Sequence, residues 1–139
     1  MARGLLDTST LILLTRINEP ETLPDEPVIS TITLAELSVG PLVATSSRER
    51  ARRQTHLQQA EADFDALPFD AAAARAFGGV AASLRRAGRK TSARAFDAMI
   101  AAVALANGIA VHTCNPSDFE GIGGLSVVEV PHPDARTSS

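Results

Sequence analysis

Residues 97–113 read DAMIAAVALANGIAVHT, an apolar helical pattern that leads into an apolar strand pattern. After Asp97 the helical part is apolar on every side as far as Ala106, which predicts a helix buried in the core. Asn107-Gly108 is a typical helix end, and residues 109–113 then read as a buried strand. A buried helix followed by a buried strand favours a fold with a covered, parallel sheet.

The rest of the chain alternates between the same two patterns. Strands are predicted at residues 4–6, 28–30, 67–69 and 125–130, and helices over 8–16, from Thr33, over 47–66, 71–87 and from Thr91 or Ser92. Gly40-Pro41 is expected to interrupt or kink the second helix. This order predicts an α/β, three-layer domain, with a central, mostly parallel sheet flanked by helices on both faces. Ligands of such folds collect at the carboxyl ends of the strands.

Length and composition indicate one domain. The chain has 139 residues, of which 45% are hydrophobic and 21% are charged, so we expect a single domain over residues 1–131 and a disordered tail over 132–139. No apolar run is long enough to cross a membrane. Asp7 stands where a signal peptide needs its apolar region, and a single cysteine, Cys114, fits a reducing compartment. A cytoplasmic protein without a membrane span is therefore expected.

The charge is unevenly distributed. The net charge of −3 argues against a protein that coats nucleic acid without specificity. Residues 71–96 nevertheless carry no acid and six bases, namely Arg75, Arg85, Arg86, Arg89, Lys90 and Arg94. This stretch is either a solvated face of the protein or a contact surface for a polyanion.

Two carboxylates follow strand ends. Asp7 comes directly after the first predicted strand, and Asp118 lies five residues after Thr113. Both positions fall at the carboxyl edge of the predicted sheet. Each also has an ordinary structural interpretation, Asp7 as the cap of the next helix and Asp118 as a turn residue.

Two more carboxylates stand beside apolar helical segments. Asp97 begins the buried helix, where a carboxylate is costly unless it is paired or bound to a cation. A salt bridge from Asp97 to Arg94 is the structural alternative. Glu36 in turn matches a capping box with Thr33, in which the glutamate reaches back to the first residue of the helix.

Taken together, the four carboxylates point to a metal site. Carboxylates in one place repel each other and raise each other's pKa values. A hard divalent cation removes that conflict, and Mg²⁺ or Mn²⁺ prefers oxygen ligands. Such an ion can activate water and bind a phosphate. The nearby basic stretch would then hold a polyanionic substrate.

Four motifs in this order resemble PIN-domain ribonucleases, specifically the VapC-type toxins of bacterial VapBC toxin–antitoxin pairs. They cover nearly the whole chain and are Leu5-Leu6-Asp7-Thr8-Ser9, Thr33-Leu34-Ala35-Glu36-Leu37-Ser38-Val39-Gly40, Phe96-Asp97-Ala98-Met99-Ile100-Ala101-Ala102 and Thr113-Cys114-Asn115-Pro116-Ser117-Asp118-Phe119. Cys114 stands where many members of this family carry an arginine, so the resemblance does not extend to that substrate contact, although it still covers the metal site.

The resemblance implies a metal-dependent endoribonuclease. Its catalytic, metal-binding residues would be Asp7, Glu36, Asp97 and Asp118, supported by Thr8, Ser9, Thr113 and Asn115. Mg²⁺ or Mn²⁺ would be the cofactor, and hydrolysis of RNA would leave a 3′-hydroxyl and a 5′-phosphate. A VapB-type antitoxin and a second copy of the chain are the implied partners, and either RNA or the antitoxin would contact Arg85, Arg86, Arg89, Lys90 and Arg94.

Two other functions stay open from the sequence. The chain can be a catalytically inactive PIN-like module that binds RNA or protein, or a nuclease that acts on DNA, because carboxylates alone do not distinguish the two nucleic acids. A metal-free, histidine-based ribonuclease is disfavoured, since His56 lies on a polar helix, His112 in a strand and His132 in the tail. The target RNA and the number of metal ions are not readable from the sequence.

Overall fold

The computed structural model describes residues 3–134. Five strands and five α-helices follow one another in alternating groups. The strands are β1 (Arg3–Leu6), β2 (Glu26–Ser30), β3 (Ala66–Leu67), β4 (Ala110–Thr113) and β5 (Val127–Glu129). The helices are α1 (Thr8–Ile12), α2 (Thr31–Val43), α3 (Ser47–Asp63), α4 (Ala71–Arg86) and α5 (Ala95–Asn107).

All five strands form one sheet, in the order β3-β2-β1-β4-β5. Every pairing in it is parallel, and Leu5 of β1 lies beside Val28 of β2 on one side and Val111 of β4 on the other. The chain order reverses between β1 and β4, the kind of position at which α/β folds bind their ligands.

The sheet is covered on both faces. Neighbouring residues of a strand point to opposite faces, so Leu5 packs with α4 and α5, whereas Leu6 packs with Leu11 of α1 and Ala60 of α3. The predicted three-layer α/β fold with a parallel central sheet is confirmed.

Helix α5 is the buried helix that its sequence predicts. Its residues from Ile100 to Ala104 have no exposed surface, and it ends at Gly108, whose φ of 65° is left-handed. Glycine adopts that conformation without steric strain, which explains the helix stop.

The start of α2 differs from the prediction. The helix begins at Thr31 rather than Thr33, and its cap is Ser30, whose hydroxyl accepts a hydrogen bond from the Thr33 amide at 3.3 Å. The capping-box interpretation of Glu36 is therefore wrong. Because β2 leads directly into the helix, its last residue becomes the cap.

The predicted interruption at Gly40-Pro41 is also wrong, since α2 continues to Val43. Proline lacks the amide that would donate to the carbonyl four residues earlier, and Pro41 stands only two residues before the last residue of the helix. Two arginines of α3 accompany it there: Arg53 Nη1 donates to the Gly40 carbonyl at 2.9 Å, and Arg50 Nε donates to the Pro41 carbonyl at 3.2 Å. Side-chain donors thus satisfy carbonyls at the end of the helix.

Other predicted boundaries move by a few residues. The helix predicted over 8–16 is α1 followed by a 3₁₀ turn at Leu14–Arg16, and the helix predicted from Thr91 begins as a 3₁₀ turn at Thr91–Arg94. The segment 47–66 is helical only to Asp63. Of the predicted tail, Asp134 forms an ion pair with Arg16, and residues 135–139 lie outside the described part. No helix within residues 3–134 combines the length and apolar character that a bilayer span requires.

Candidate active site

Asp7 lies at the carboxyl end of β1 and is almost completely buried, with 2% of its surface exposed. It caps α1, because its Oδ1 accepts a hydrogen bond from the Thr10 amide at 3.2 Å. Its Oδ2 accepts from the hydroxyls of Thr113, at 2.8 Å, and Ser9, at 3.2 Å. Asp7 thus serves as a helix cap while a cluster of hydroxyls holds its other oxygen.

Asn115 extends this cluster from the loop after β4. Its side-chain amide donates to Ser9 Oγ at 3.1 Å, and its backbone amide donates to Thr113 Oγ1 at 2.9 Å. Both hydroxyls can then direct their own protons at Asp7. The ends of β1 and β4 are in this way joined through polar side chains.

Glu36 reaches the same edge of the sheet from α2. Thr8 Oγ1 donates to Glu36 Oε1 at 2.6 Å and lies 2.9 Å from Thr33 Oγ1. Because Thr8 has a single hydroxyl proton and gives it to Glu36, Thr33 is the donor of the second bond. Thr33 is fully buried, so this chain of hydroxyls orients Glu36 from the interior.

Asp118 lies on the 3₁₀ turn Pro116–Phe119 after β4. Its Oδ1 accepts a hydrogen bond from Arg94 Nη1 at 2.6 Å, and the two side chains are 35% and 32% exposed. The salt bridge between Arg94 and Asp97, considered as the structural alternative, is wrong, because Arg94 pairs with Asp118 instead.

Asp97 stands in the first turn of α5, and the other three carboxylates all affect its pKa. Burial raises its pKa to about 6, with further contributions from the negative charges of Asp118, Asp7 and Glu36. Arg94 opposes these effects without forming an ion pair to Asp97. Within the described residues, Asp97 is thus a carboxylate without a direct partner.

Burial also raises the pKa values of Asp7 and Glu36. For Asp7, hydrogen bonds from Thr10, Thr113 and Ser9 partly offset the effect of burial. For Glu36, the Thr8 hydroxyl lowers the pKa, whereas the charge of Asp7 raises it. The site therefore collects more negative charge than its surroundings neutralise.

A hard divalent cation suits this donor set. The four side chains offer only carboxylate oxygens, and among residues 3–134 a single cation, Arg94, pairs with one of them. They do not form a ready-made cage, however: in residues 3–134 no group of three or more His, Cys, Asp or Glu side chains is arranged to hold a metal ion as it stands. Since the carboxylates repel one another, we expect them to move inward when a cation neutralises them.

The basic stretch divides into two groups. Arg89 contributes to the structure, because its guanidinium donates to the carbonyls of Glu120 at 2.8 Å and Ser117 at 3.2 Å. Arg89 and Arg94 therefore both hold the turn that carries Asp118. Arg85, Arg86 and Lys90 have exposed side chains, which leaves them open to a ligand.

Two cavities flank Glu36, and the sequence interpretation found neither of them. One, of about 370 Å³, lies between α1, α2 and α3, and its wall includes Arg52, Arg53 and His56. The other, of about 350 Å³, is lined from residue 92 to Asp97. The only sequence signal for the first cavity is the group of basic residues in α3. The sequence does not show which of them face Glu36, because that depends on how α3 packs onto α2.

A further apolar surface is exposed on α1 and α2, and one of its members, Ile12, also lines the first cavity. We call it the α1–α2 patch; its members are more than half exposed and are Ile12 (53%), Val39 (52%), Leu42 (83%) and Val43 (62%). Exposed apolar side chains gathered on neighbouring elements are typical of a protein interface.

Comparisons with known proteins agree with this fold. The PIN domain family profile matches residues 5–125. Ribonuclease VapC5 of Mycobacterium tuberculosis is 37% identical over 131 residues, which cover 93% of this chain and 94% of that protein. The tRNA(fMet)-specific endonuclease VapC of Shigella flexneri is 33% identical over 132 residues, which cover 90% and 96% of the two chains.

Solved structures give the same result. A VapBC-5 structure from Mycobacterium tuberculosis matches with a TM-score of 0.78 at 35% identity, covering 94% of this chain and 98% of that one. A DNA-bound VapBC structure from Salmonella typhimurium matches with a TM-score of 0.75 at 30% identity, covering 93% and 98%. The chain belongs to the PIN-domain family and, within it, to the VapC type.

Proposed function

We propose that this chain is a divalent-metal-dependent endoribonuclease that acts as the toxin of a type II toxin–antitoxin pair. The observation that carries the proposal is the position of Asp97. Three further carboxylates raise its pKa at the switch point of the sheet. Asp7 follows β1, Glu36 lies within α2, and Asp118 lies on the turn after β4. Relatives named as a ribonuclease and a tRNA-specific endonuclease support RNA as the substrate class.

The proposed catalytic and metal-binding residues are Asp7, Glu36, Asp97 and Asp118. When bound to them, Mg²⁺ or Mn²⁺ would supply an activated water and a Lewis acid for the phosphodiester. The hydroxyls of Ser9 and Thr113 hold Asp7 in one orientation, and Thr8 does the same for Glu36. Asn115 fixes two of these hydroxyls. These hydrogen bonds thereby restrict the orientation of Asp7 and Glu36 before a substrate arrives.

Two groups of basic residues are proposed to contact the RNA backbone. Arg85, Arg86 and Lys90 are exposed beside the Asp118 turn, and Arg52, Arg53 and His56 line the cavity on the other side of Glu36. Arg52 and Arg53 are ion-paired with Glu49, which lines the same cavity, so an RNA phosphate would have to compete with that carboxylate for them. These contacts should weaken with added salt, because they act on phosphates.

A VapB-type antitoxin is the proposed protein partner, and the α1–α2 patch is its proposed seat. Structures of relatives are VapBC complexes, and the patch supplies the apolar surface that a bound segment would cover. Co-expression with the open reading frame beside this gene should abolish RNA cleavage. Leu42→Asp should weaken binding of the antitoxin, because the new carboxylate would be buried against the partner. RNA cleavage should then return in the co-expressed sample. A homodimer and a cytoplasmic location complete the proposal.

Cleavage of RNA by the purified chain tests the function. Partner-free protein is incubated with total RNA and Mg²⁺ or Mn²⁺, beside EDTA, with Asp97→Asn and with Asp25→Asn. Asp25 is an exposed loop residue, which makes its substitution a matched control. Discrete RNA fragments are expected with the wild type and Asp25→Asn, and none with Asp97→Asn or EDTA.

The same assay separates the alternatives. Metal-independent RNA binding that survives Asp97→Asn would indicate an inactive binding module. Equal cleavage of single-stranded DNA of the same sequence would show that the site does not select RNA. Light scattering of the same sample measures the oligomeric state.

A further inference from the structure

In the part of the chain that the structure describes, the Arg94–Asp118 pair is the one salt bridge that any of the four carboxylates forms. We propose that Arg94 is a tethered counterion: it holds Asp118 in the metal-free protein and is exchanged for the metal ion when the site is loaded. This inference rests on the proposed metal site. It adds that a side chain of the same protein, Arg94, competes with the metal ion for Asp118.

The position of Arg94 in the chain makes the exchange possible. It is the last residue of the 3₁₀ turn Thr91–Arg94, three residues before Asp97. Although it is only three residues from Asp97 in the sequence, its guanidinium reaches across to Asp118 at 2.6 Å. Both side chains are about one third exposed (32% and 35%). The pair lies at the rim of the site, where water can solvate the guanidinium once it is released.

Electrostatics explain why the two cations compete. The guanidinium occupies Asp118 Oδ1 and brings a permanent positive charge, since arginine stays protonated at all ordinary pH values. A divalent ion close to the same carboxylate is repelled by that charge and finds one oxygen already engaged. Without the metal, however, Asp118, Asp97, Asp7 and Glu36 repel each other, and Arg94 is the side chain that reduces this repulsion.

A permanent salt bridge would have the opposite effect on metal affinity. If Arg94 merely orients Asp118 and leaves Oδ2 to the ion, its removal loosens a ligand and weakens binding. If Arg94 is exchanged, its removal strengthens binding. The sign of the change therefore separates the two roles.

Mn²⁺ titration, followed by the electron paramagnetic resonance of the free ion, measures that sign. Arg94→Gln should bind Mn²⁺ about tenfold more tightly than the wild type, whereas Arg94→Lys, which keeps the charge, should stay close to it. Arg75→Gln is the matched control, because it removes the same charge from an exposed position on α4. Its affinity should equal that of the wild type.

Thermal unfolding gives a second measurement that does not depend on activity. In EDTA, Arg94→Gln should melt below the wild type, because its carboxylates lose their counterion. In saturating Mn²⁺ the difference should shrink or reverse. In the wild type itself, Mg²⁺ should move the NMR signal of the Arg94 Nε–H toward that of a solvated arginine, which tests the exchange even if the variant fails to fold.

Each outcome has a defined meaning. Weaker or unchanged Mn²⁺ binding by Arg94→Gln, or an Arg94 signal that ignores Mg²⁺, overturns the exchange and leaves the proposed nuclease intact. A wild type that binds no Mn²⁺ overturns the metal site, and with it both the proposed function and the exchange.

Discussion

Thr113, the last residue of β4, donates its hydroxyl proton to Asp7, the first residue after β1, over 2.8 Å. The two residues are 106 positions apart in the chain and lie at the carboxyl ends of neighbouring strands of the sheet. The same Thr113 oxygen accepts a hydrogen bond from the Asn115 amide. The buried Thr113 hydroxyl therefore links Asp7, after β1, to Asn115, in the loop after β4.

Thr113→Val tests this junction. Valine has nearly the same shape, but it leaves Asp7 Oδ2 with the longer Ser9 hydrogen bond alone and the Asn115 amide without its acceptor. We expect a loss of about 1–3 kcal/mol in the free energy of unfolding and weaker Mn²⁺ binding. Urea unfolding of the variant and of Thr55→Val, an exposed position on α3, measures the difference. A loss no larger than that of the control would contradict the assigned role.

The raised pKa of Asp97 predicts a pH dependence of stability. A carboxyl with a pKa of about 6 in the folded state and about 3.9 in the unfolded chain binds more protons when folded. The metal-free protein should therefore lose stability as pH rises from about 4 to 6 and keep that loss above it. Because Asp97 is partly exposed, we expect a contribution of about 1 kcal/mol.

Asp97→Asn is the matched variant for this prediction. It removes the charge at every pH, so in EDTA it should be more stable than the wild type at pH 7 and should show a flatter pH profile. Urea unfolding between pH 4 and pH 8 measures both quantities. A wild type that gains stability across the same interval would refute the assignment of the raised pKa to Asp97.

Arg89→Gln should loosen the turn that carries Asp118. The substitution removes the donors to the Ser117 and Glu120 carbonyls, and we expect a cost of about 1–2 kcal/mol in unfolding free energy. Mn²⁺ affinity should fall, in contrast to the gain expected for Arg94→Gln. Lys90→Gln, at the exposed neighbouring position, should leave stability unchanged. Equal effects of the two substitutions would show that Arg89 is not structural.

Gly4→Ala should destabilise the sheet between β1 and β4. A Cβ atom at Gly4 would lie 2.5 Å from the His112 ring and 2.8 Å from the Pro24 side chain, and His112 is buried. We expect a loss of about 1–3 kcal/mol. Gly78→Ala, in α4, meets no atom within 4 Å and should instead raise stability by about 0.5–1 kcal/mol. Thermal unfolding of both variants gives the comparison, and equal melting temperatures would contradict it.

The alternating fold was predictable because its signals are local. The apolar run from Ala98 to Ala106 reads as a buried helix without any knowledge of its neighbours. The segments before Asp7 and Asn115 likewise read as buried strands. The start of α2 was harder to predict, because Ser30 and Thr33 are both good helix caps. Only the direct passage from β2 into α2 selects Ser30.

Local patterns in the sequence were enough to identify the residues available at the carboxyl edge of the sheet, since strand ends and apolar periodicity fix the positions of Asp7 and Asp97 along the chain. Tertiary structure alone decided the partners. Arg94 lies three residues from Asp97 yet pairs with Asp118, which is 24 residues away. Sequence spacing cannot supply such a choice, because it depends on how the Asp118 turn packs beside α5. The physical reason is the range of the forces: helix and strand patterns arise between near neighbours, whereas ion pairs form between whichever groups the folded chain brings into contact.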